Sequence, residues 1–409
     1  MSEPQPSSTI DVSYCGVHTA FECALAAQEM GVLREFHCSF YDAPGCWGGR
    51  AGRLLGTERL RNRRIDGLDV QRVREHPWPW LANAVRHRFG GPAESMEMLA
   101  AFDRHYAGRL RRSPPTVLVT TERCALESLK AAQKGGVRTL HDCPQLHPVA
   151  LDGLMAEAAE RVGVSWHGFA DGPAMVERKL EEFALAERLM VYSEFQRDSF
   201  ISQGIPQERL FVNPLWVDTD FWRPTQSKRV KPSQDPLSLL FVGELSYRKG
   251  LPFLFDALKQ LDAPVHLTLA GRPTGQFPIP EQLGRARVTA IGPVTKHRLR
   301  VLYSQSDLMV LPSVADAFGW VAVEAMACGL PVLLTENCGA PVPDPAWRTP
   351  AMDSAALAAR LQFCLDHPDS LQESAAQCRA FAAQFIPVHF RERVRQQFEG
   401  WLSPTRVAS

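Results

Sequence analysis

Two acids, Asp316 and Glu324, are separated by seven residues around Phe318-Gly319, just after the short apolar run Leu308–Leu311 and at the start of a helical pattern. A strand that ends in a glycine-containing turn and opens a helix presents free N–H groups, and such a terminus attracts phosphate. Gly319 lets backbone approach a ligand closely, because it carries no Cβ. Glu324 falls about one and a half turns into the helix, where its carboxylate reaches back toward hydroxyls beside a bound diphosphate. Asp316 sits on the preceding loop and faces the same pocket. The plainer reading is that Asp316 only complements a helix N-terminus and that Glu324 is a surface carboxylate. A second group, His141-Asp142-Cys143 with His147, ends another apolar run. It offers three candidate zinc ligands but no second pair, which is too few for a structural site.

The elements that must position these residues come from alternation. Strand-length apolar runs at 10–14, 116–120, 137–141 and 189–192 are followed by helical patterns at 17–30, 125–133 and 194–203, the last opened by the cap-like Ser193. A second series runs from 237 through strands at 237–243, 265–270, 288–291, 308–311 and 331–334, with helices at 251–261, 296–304 and 319–328. Repeated βα units imply parallel sheets, and two such series imply two Rossmann-like domains facing a deep inter-domain cleft. The expected division is 1–212, a Pro-rich linker at 213–236, a second domain at 237–384, and a terminal amphipathic helix within 385–409 that returns to the first domain. Residues 44–91, with arginines at 50, 53, 59, 61, 63 and 64, read as an excursion from the sheet. The basic stretch 50–64 is either a solvated face or a peripheral contact with an anionic membrane.

Composition removes other classes. Forty-five basic and 45 acidic residues in 409 leave no field to draw nucleic acid, and no apolar run approaches the roughly 18 residues of a spanning helix. The polar start carries no secretory pattern, and ten scattered cysteines without a C-x-x-C pair suit reduced, buried thiols. A cytoplasmic location is expected.

Glu324-Ala325-Met326-Ala327-Cys328-Gly329-Leu330-Pro331-Val332 and the Asp316–Glu324 spacing resemble the signature of glycosyltransferase family 4. Phe241-Val242-Gly243-Glu244-Leu245-Ser246-Tyr247-Arg248-Lys249-Gly250 is similar to the family's strand and loop, with Glu244 in place of the usual arginine. Asp316 replaces the usual glutamate, and Trp216 stands where a glycine is common. The resemblance is strong over 180–335 and weak before 110. It implies α/β GT-B architecture and a retaining hexosyltransferase that uses a nucleotide diphosphate sugar donor and a glycan, lipid-linked or small-molecule acceptor. Lys249 and Arg248 would hold the diphosphate, Glu324 the ribose, and Asp316, Phe318, Gly319 and Trp320 the sugar side. His141 would stand near the reacting carbon. Gly16, after the first strand, would approach the donor, and His18 just beyond it is as readily helix surface. A nucleotide-sugar epimerase and a silent nucleotide-binding scaffold are the alternatives, the latter prompted by Glu244 and Asp316.

No D-x-D metal pair occurs in a matching context, and cationic side chains are present for the diphosphate, so no metal or other cofactor is expected. Turnover should therefore survive EDTA. Complete loss on chelation, restored by Mg²⁺ or Mn²⁺, would contradict this.

Overall fold

The computed structural model describes residues 8–16, 19–50, 63–90, 95–168, 172–225 and 235–402. His18 and residues 51–62 of the basic stretch lie outside the described residues. The first domain contains strands β1 (Ile10–Ser13), β2 (Leu33–Cys38), β3 (Val73–Glu75), β4 (Val117–Thr121), β5 (Arg138–Asp142), β6 (Arg188–Val191) and β7 (Leu210–Val212). Its helices are α1 (Ala20–Glu29), α2 (Trp78–Arg88), α3 (Met96–Leu110), α4 (Leu126–Lys134), α5 (Pro148–Arg161), α6 (Gly172–Leu185) and α7 (Glu194–Ile201). Ser193 caps α7 as its sequence position implied, accepting from the Gln196 N–H at 3.0 Å.

The strands form one parallel sheet in the order β3-β2-β1-β4-β5-β6-β7. The stretch 44–91 is thus corrected: it returns to the sheet through edge strand β3 and then forms α2. Of its described arginines, Arg50 and Arg64 are exposed and Arg63 is half-buried. Arg63 donates to the Cys15 carbonyl at 3.2 Å, and Arg64 pairs with Asp66 at 3.5 Å.

The second domain has β8 (Leu237–Val242), β9 (Val265–Ala270), β10 (Gln282–Leu283), β11 (Ala286–Gly292), β12 (Leu308–Leu311), β13 (Val332–Thr335) and β14 (Arg348–Thr349). The order is β10-β11-β9-β8-β12-β13-β14, parallel apart from the short β10. Its helices are α8 (Leu251–Lys259), α9 (Lys296–Gln305), α10 (Trp320–Ala327), α11 (Ser354–Asp366) and α12 (Asp369–Ala382), and α13 (Pro387–Leu402) follows. In both sheets the order reverses beside the first strand, at β1/β4 and at β8/β12. A crevice opens outside the carboxyl ends at such a point, which fixes where a ligand site belongs. Leu239, Leu240, Leu308 and Met309 are fully buried on these central strands, as a sheet covered on both faces requires.

The domains meet through an apolar contact in which Leu146, Leu151 and Met155 pack with Phe253, Val314, Ala315 and Ala317. The segment after β7 is no loose tether either, for Leu215, Val217 and Trp222 are buried. All ten cysteines are unbonded and buried. Among the described residues no helix is long and apolar enough to cross a membrane.

Helix α13 lies on α1 of the first domain. Phe390, Val394 and Phe398 are fully buried, and Arg391 bonds Glu22 at 2.7 Å and Glu29 at 2.9 Å. Burial raises the Glu22 carboxyl above its usual range while Arg391 pulls it back. Removing Arg391 strands a side chain that is only 9% exposed. We expect Arg391→Ala to lose about 1–3 kcal/mol in urea denaturation. The more exposed Arg395→Ala should lose less than about 1 kcal/mol; equal losses would show that α13 is held by its apolar face alone.

Candidate functional site

The loops that leave β8 and β12 carry the residues singled out in the sequence. After β8 the chain turns through Gly243 to Arg248 and Lys249. After β12 it runs through Pro312 to Asp316 and Gly319. Gly250 and the Pro312 carbonyl approach so closely that a Cβ on residue 250 would lie 1.7 Å from that oxygen. This near contact clamps the two loops side by side.

Asp316 is the knot between them. Its N–H donates to the Asn337 carbonyl at 2.9 Å and its carbonyl accepts the Gly339 N–H at 2.9 Å, so it also engages the loop after β13. Its carboxylate forms an ion pair with the Lys249 ammonium, both side chains being 12% exposed. Burial alone would raise its pKa, but Lys249, Arg248 and the Gly319 N–H together hold it below the usual carboxylate value. Arg248 donates to the Ala315 carbonyl at 3.0 Å, which orients the guanidinium along the same wall.

Gly319 starts α10 with φ +72°, a conformation that side chains resist, and a Cβ there would meet the Cys338 sulfur at 2.7 Å. The start of the helix lines a cavity of about 450 Å³ between the domains. Arg248, Asp316, Phe318, Gly319 and Trp320 line that cavity on one side, while Gln145, Lys179 and Tyr192 line it on the other.

Lys249 stands behind Asp316 and is not itself a lining residue. Glu324 lies deeper along α10, where it accepts the Tyr303 hydroxyl at 3.2 Å. Burial pushes its pKa up to about 7, the Tyr303 bond opposing.

The first-domain expectations land differently. His141 is fully buried on β5, off the cavity wall. Its Nδ1 lies 2.9 Å from the Thr120 hydroxyl and its Nε2 3.7 Å from Glu182, and burial lowers its pKa to about 4. The imidazole is neutral at pH 7. His147 packs against Phe183 and Phe200, and the ring nitrogens do not converge with Cys143 on a metal position. Among the described residues the cluster with metal-ligand proximity is instead Asp11, Glu35 and His37, where Arg34 already binds Asp11 and Arg74 and Arg109 already bind Glu35. Gly16 follows β1 beside the Tyr14 ring and is not a lining residue.

Three features escaped the sequence reading. Glu244 does not press on the site, because Arg272 pairs with it at 2.7 Å. Lys179 is 3% exposed, bonds the Gln145 side chain at 2.9 Å and lies 3.3 Å from Glu122. A lysine on the buried stripe Met175, Lys179, Phe183 of α6 was the available signal. Trp216 packs against Trp320.

Two Rossmann-like domains facing each other across one cavity, with the second domain's switch point on its wall, define a GT-B architecture. Residues 223–379 match the family described as glycosyl transferases group 1. The chain is 29% identical over 225 residues to a D-inositol 3-phosphate glycosyltransferase of Gordonia bronchialis, covering 49% of each. It is 31% identical over 189 residues to enzymes of that name from Mycobacterium tuberculosis, covering 42% of this chain and 39% of theirs. The chain spans about half the length of the curated relatives it matches or less. Among solved structures, Anabaena HepE with UDP and glucose superposes with a TM-score of 0.60 at 18% identity, covering 97% of this chain and 100% of that one. Sucrose-phosphate synthase from Thermosynechococcus elongatus gives 0.61 at 18%, covering 96% and 98%. At these identities the likeness is one of fold.

The Glu324 environment has a pH signature independent of any ligand. Its folded pKa lies above the unfolded value, so the folded state loses stability as pH rises from about 4.5 to 7 and the carboxylate ionises inside. Glu324→Gln, which stays neutral, should gain roughly 2–3 kcal/mol on the wild type between pH 5 and pH 8, at about 1.4 kcal/mol per pKa unit. Parallel stability curves would show that Glu324 is solvated.

Proposed function

We propose that the chain is a retaining glycosyltransferase of the family 4 type, which moves a hexose from a nucleotide diphosphate sugar to a hydroxyl of a glycan, lipid-linked or small-molecule acceptor. The observation that carries this reading is the convergence of Arg248, Lys249, Asp316 and the α10 amides at one switch point. The group 1 match over the second domain supports it, as do the structural neighbours with UDP and with UDP-glucose.

In this reading Arg248 meets the diphosphate directly, and bidentate guanidinium bonds suit phosphate oxygens. Lys249 reaches it by exchanging Asp316 for phosphate. The start of α10 beside Phe318 faces the charge that grows as the glycosidic bond to phosphate breaks, which is electrostatic stabilisation without a metal. Glu324 accepts ribose hydroxyls. The departing phosphate oxygen takes the acceptor proton, and the acceptor enters from the Gln145 and Lys179 side. His141, neutral and hydrogen-bonded to Thr120, acts as a positioning residue behind the first-domain wall.

The scaffold alternative rested on Glu244 in place of the usual arginine and on Asp316 in place of the usual glutamate. Arg272 pairs with Glu244, and Asp316 engages Lys249. No observation favours an epimerase.

The test is a donor screen that reads released nucleoside diphosphate, with acceptors of the three classes, followed by UDP titration of two variants. Arg248→Ala and Lys249→Ala should each weaken UDP binding roughly ten- to a hundred-fold, the range of a charge-assisted hydrogen bond of about 1.5–3 kcal/mol. Thermal unfolding is followed alongside, since Lys249→Ala leaves Asp316 without its partner. Unchanged affinity in both variants would remove the diphosphate from this wall.

A further inference from the structure

Trp216 occupies the segment through which the chain passes from the first domain to the second. Its ring lies 5.4 Å from that of Trp320 in an edge-on arrangement and 4.6 Å from that of Phe390. Trp320 is the first residue of α10, and its indole N–H donates to the Trp216 backbone carbonyl. Phe390 belongs to α13, the element that returns from the second domain to the first.

The two chain crossings are also bonded to each other. The Val217 N–H donates to the Phe385 carbonyl at 2.7 Å, and Arg393 donates to the Asn213 side chain at 2.6 Å and to the Pro214 carbonyl at 3.0 Å. Any rotation of one domain against the other must pass through these crossings, since they are where the chain goes over. Trp320 alone of the trio lines the cavity, and it sits beside the Gly319 amide. Trp216 touches no ligand space of its own.

We infer that Trp216 is a positioning residue that fixes the N-terminus of α10 to the inter-domain crossing, so that occupancy of the nucleotide wall and the angle between the domains are coupled through Trp320. This rests on the nucleotide reading of the site given above, but its mechanical half does not. With φ positive at Gly319 and no side-chain cap at the helix start, the first turn of α10 has little local reason to stay in place. The indole bond to Trp216 supplies an anchor from outside the helix. A glycine at 216 would keep the accepting carbonyl but lose both ring contacts and gain backbone freedom, and the anchor would slacken.

Hydrogen exchange tests the mechanical half on the whole protein without ligand. In Trp216→Gly the amides of 318–323 should exchange at least tenfold faster than in the wild type, with Trp216→Phe close to wild type. Trp320→Phe keeps a ring and removes the N–H donor, and it should show the same acceleration even if Trp216→Gly fails to fold. UDP titration well below the unfolding temperature tests the coupling: Trp216→Gly should bind roughly five- to tenfold more weakly, and Trp216→Phe should restore most of that. A lower unfolding temperature with unaltered exchange at 318–323, or with unaltered UDP affinity, would overturn the inference and leave Trp216 as packing only. If the wild type binds no nucleoside diphosphate, the nucleotide reading and the coupling both fall, while the exchange result still decides the anchor.

Discussion

The ion pair between Lys249 and Asp316 holds the second domain's ligand wall together. It joins the loop after β8 to the loop after β12, and the Asp316 backbone adds the loop after β13. Three strand ends are thereby fixed at the one place where the sheet order reverses. A buried carboxylate is tolerated there because two cations and an amide face it, and that excess of positive charge is what an anionic ligand would share. Gly319 and Gly250 are required for the same reason: the loops lie too close for a Cβ at either position.

The interior of the first domain follows a different logic. Asp11, Glu35 and His37 lie on central strands, yet each acid is matched by arginines from neighbouring elements. Glu182 caps α4 by accepting the Arg123 and Ala125 N–H groups, and it takes a pKa of about 7 mainly through burial. His141 belongs to this interior. Its lowered pKa follows from desolvation, and its contact with Thr120 links β5 to β4. The wall that faces the cavity from this side is made instead by Gln145, Lys179 and Tyr192.

Legibility in the sequence followed these physical differences. The five longer strands of the second domain could be read, because β8, β12 and β13 are largely apolar runs, whereas the two-residue edge strands β10 and β14 leave no such run. In the first domain β2, Leu33–Cys38, carries Arg34, Glu35 and His37 among three apolar residues, and Glu35 is buried because distant arginines meet it. Nothing local announces such partners, so β2 was passed over and β3 was absorbed into an apparent excursion. Asp316, Gly319 and Glu324 were legible as a set because helix geometry fixes their spacing. Arg272, which neutralises Glu244, lies 28 residues away and becomes a partner only when β8 and β9 pair. Trp216 was visible as an unusual residue without a reason, since its reason is two chain crossings brought together by the fold.

The most direct measurement is a crystal structure of the chain with a nucleotide diphosphate sugar that it turns over. The account predicts the diphosphate against Arg248 and the start of α10, the Lys249 ammonium within reach of a phosphate oxygen, and the ribose hydroxyls on Glu324. A nucleotide bound elsewhere, with the Lys249–Asp316 wall unoccupied, would contradict it.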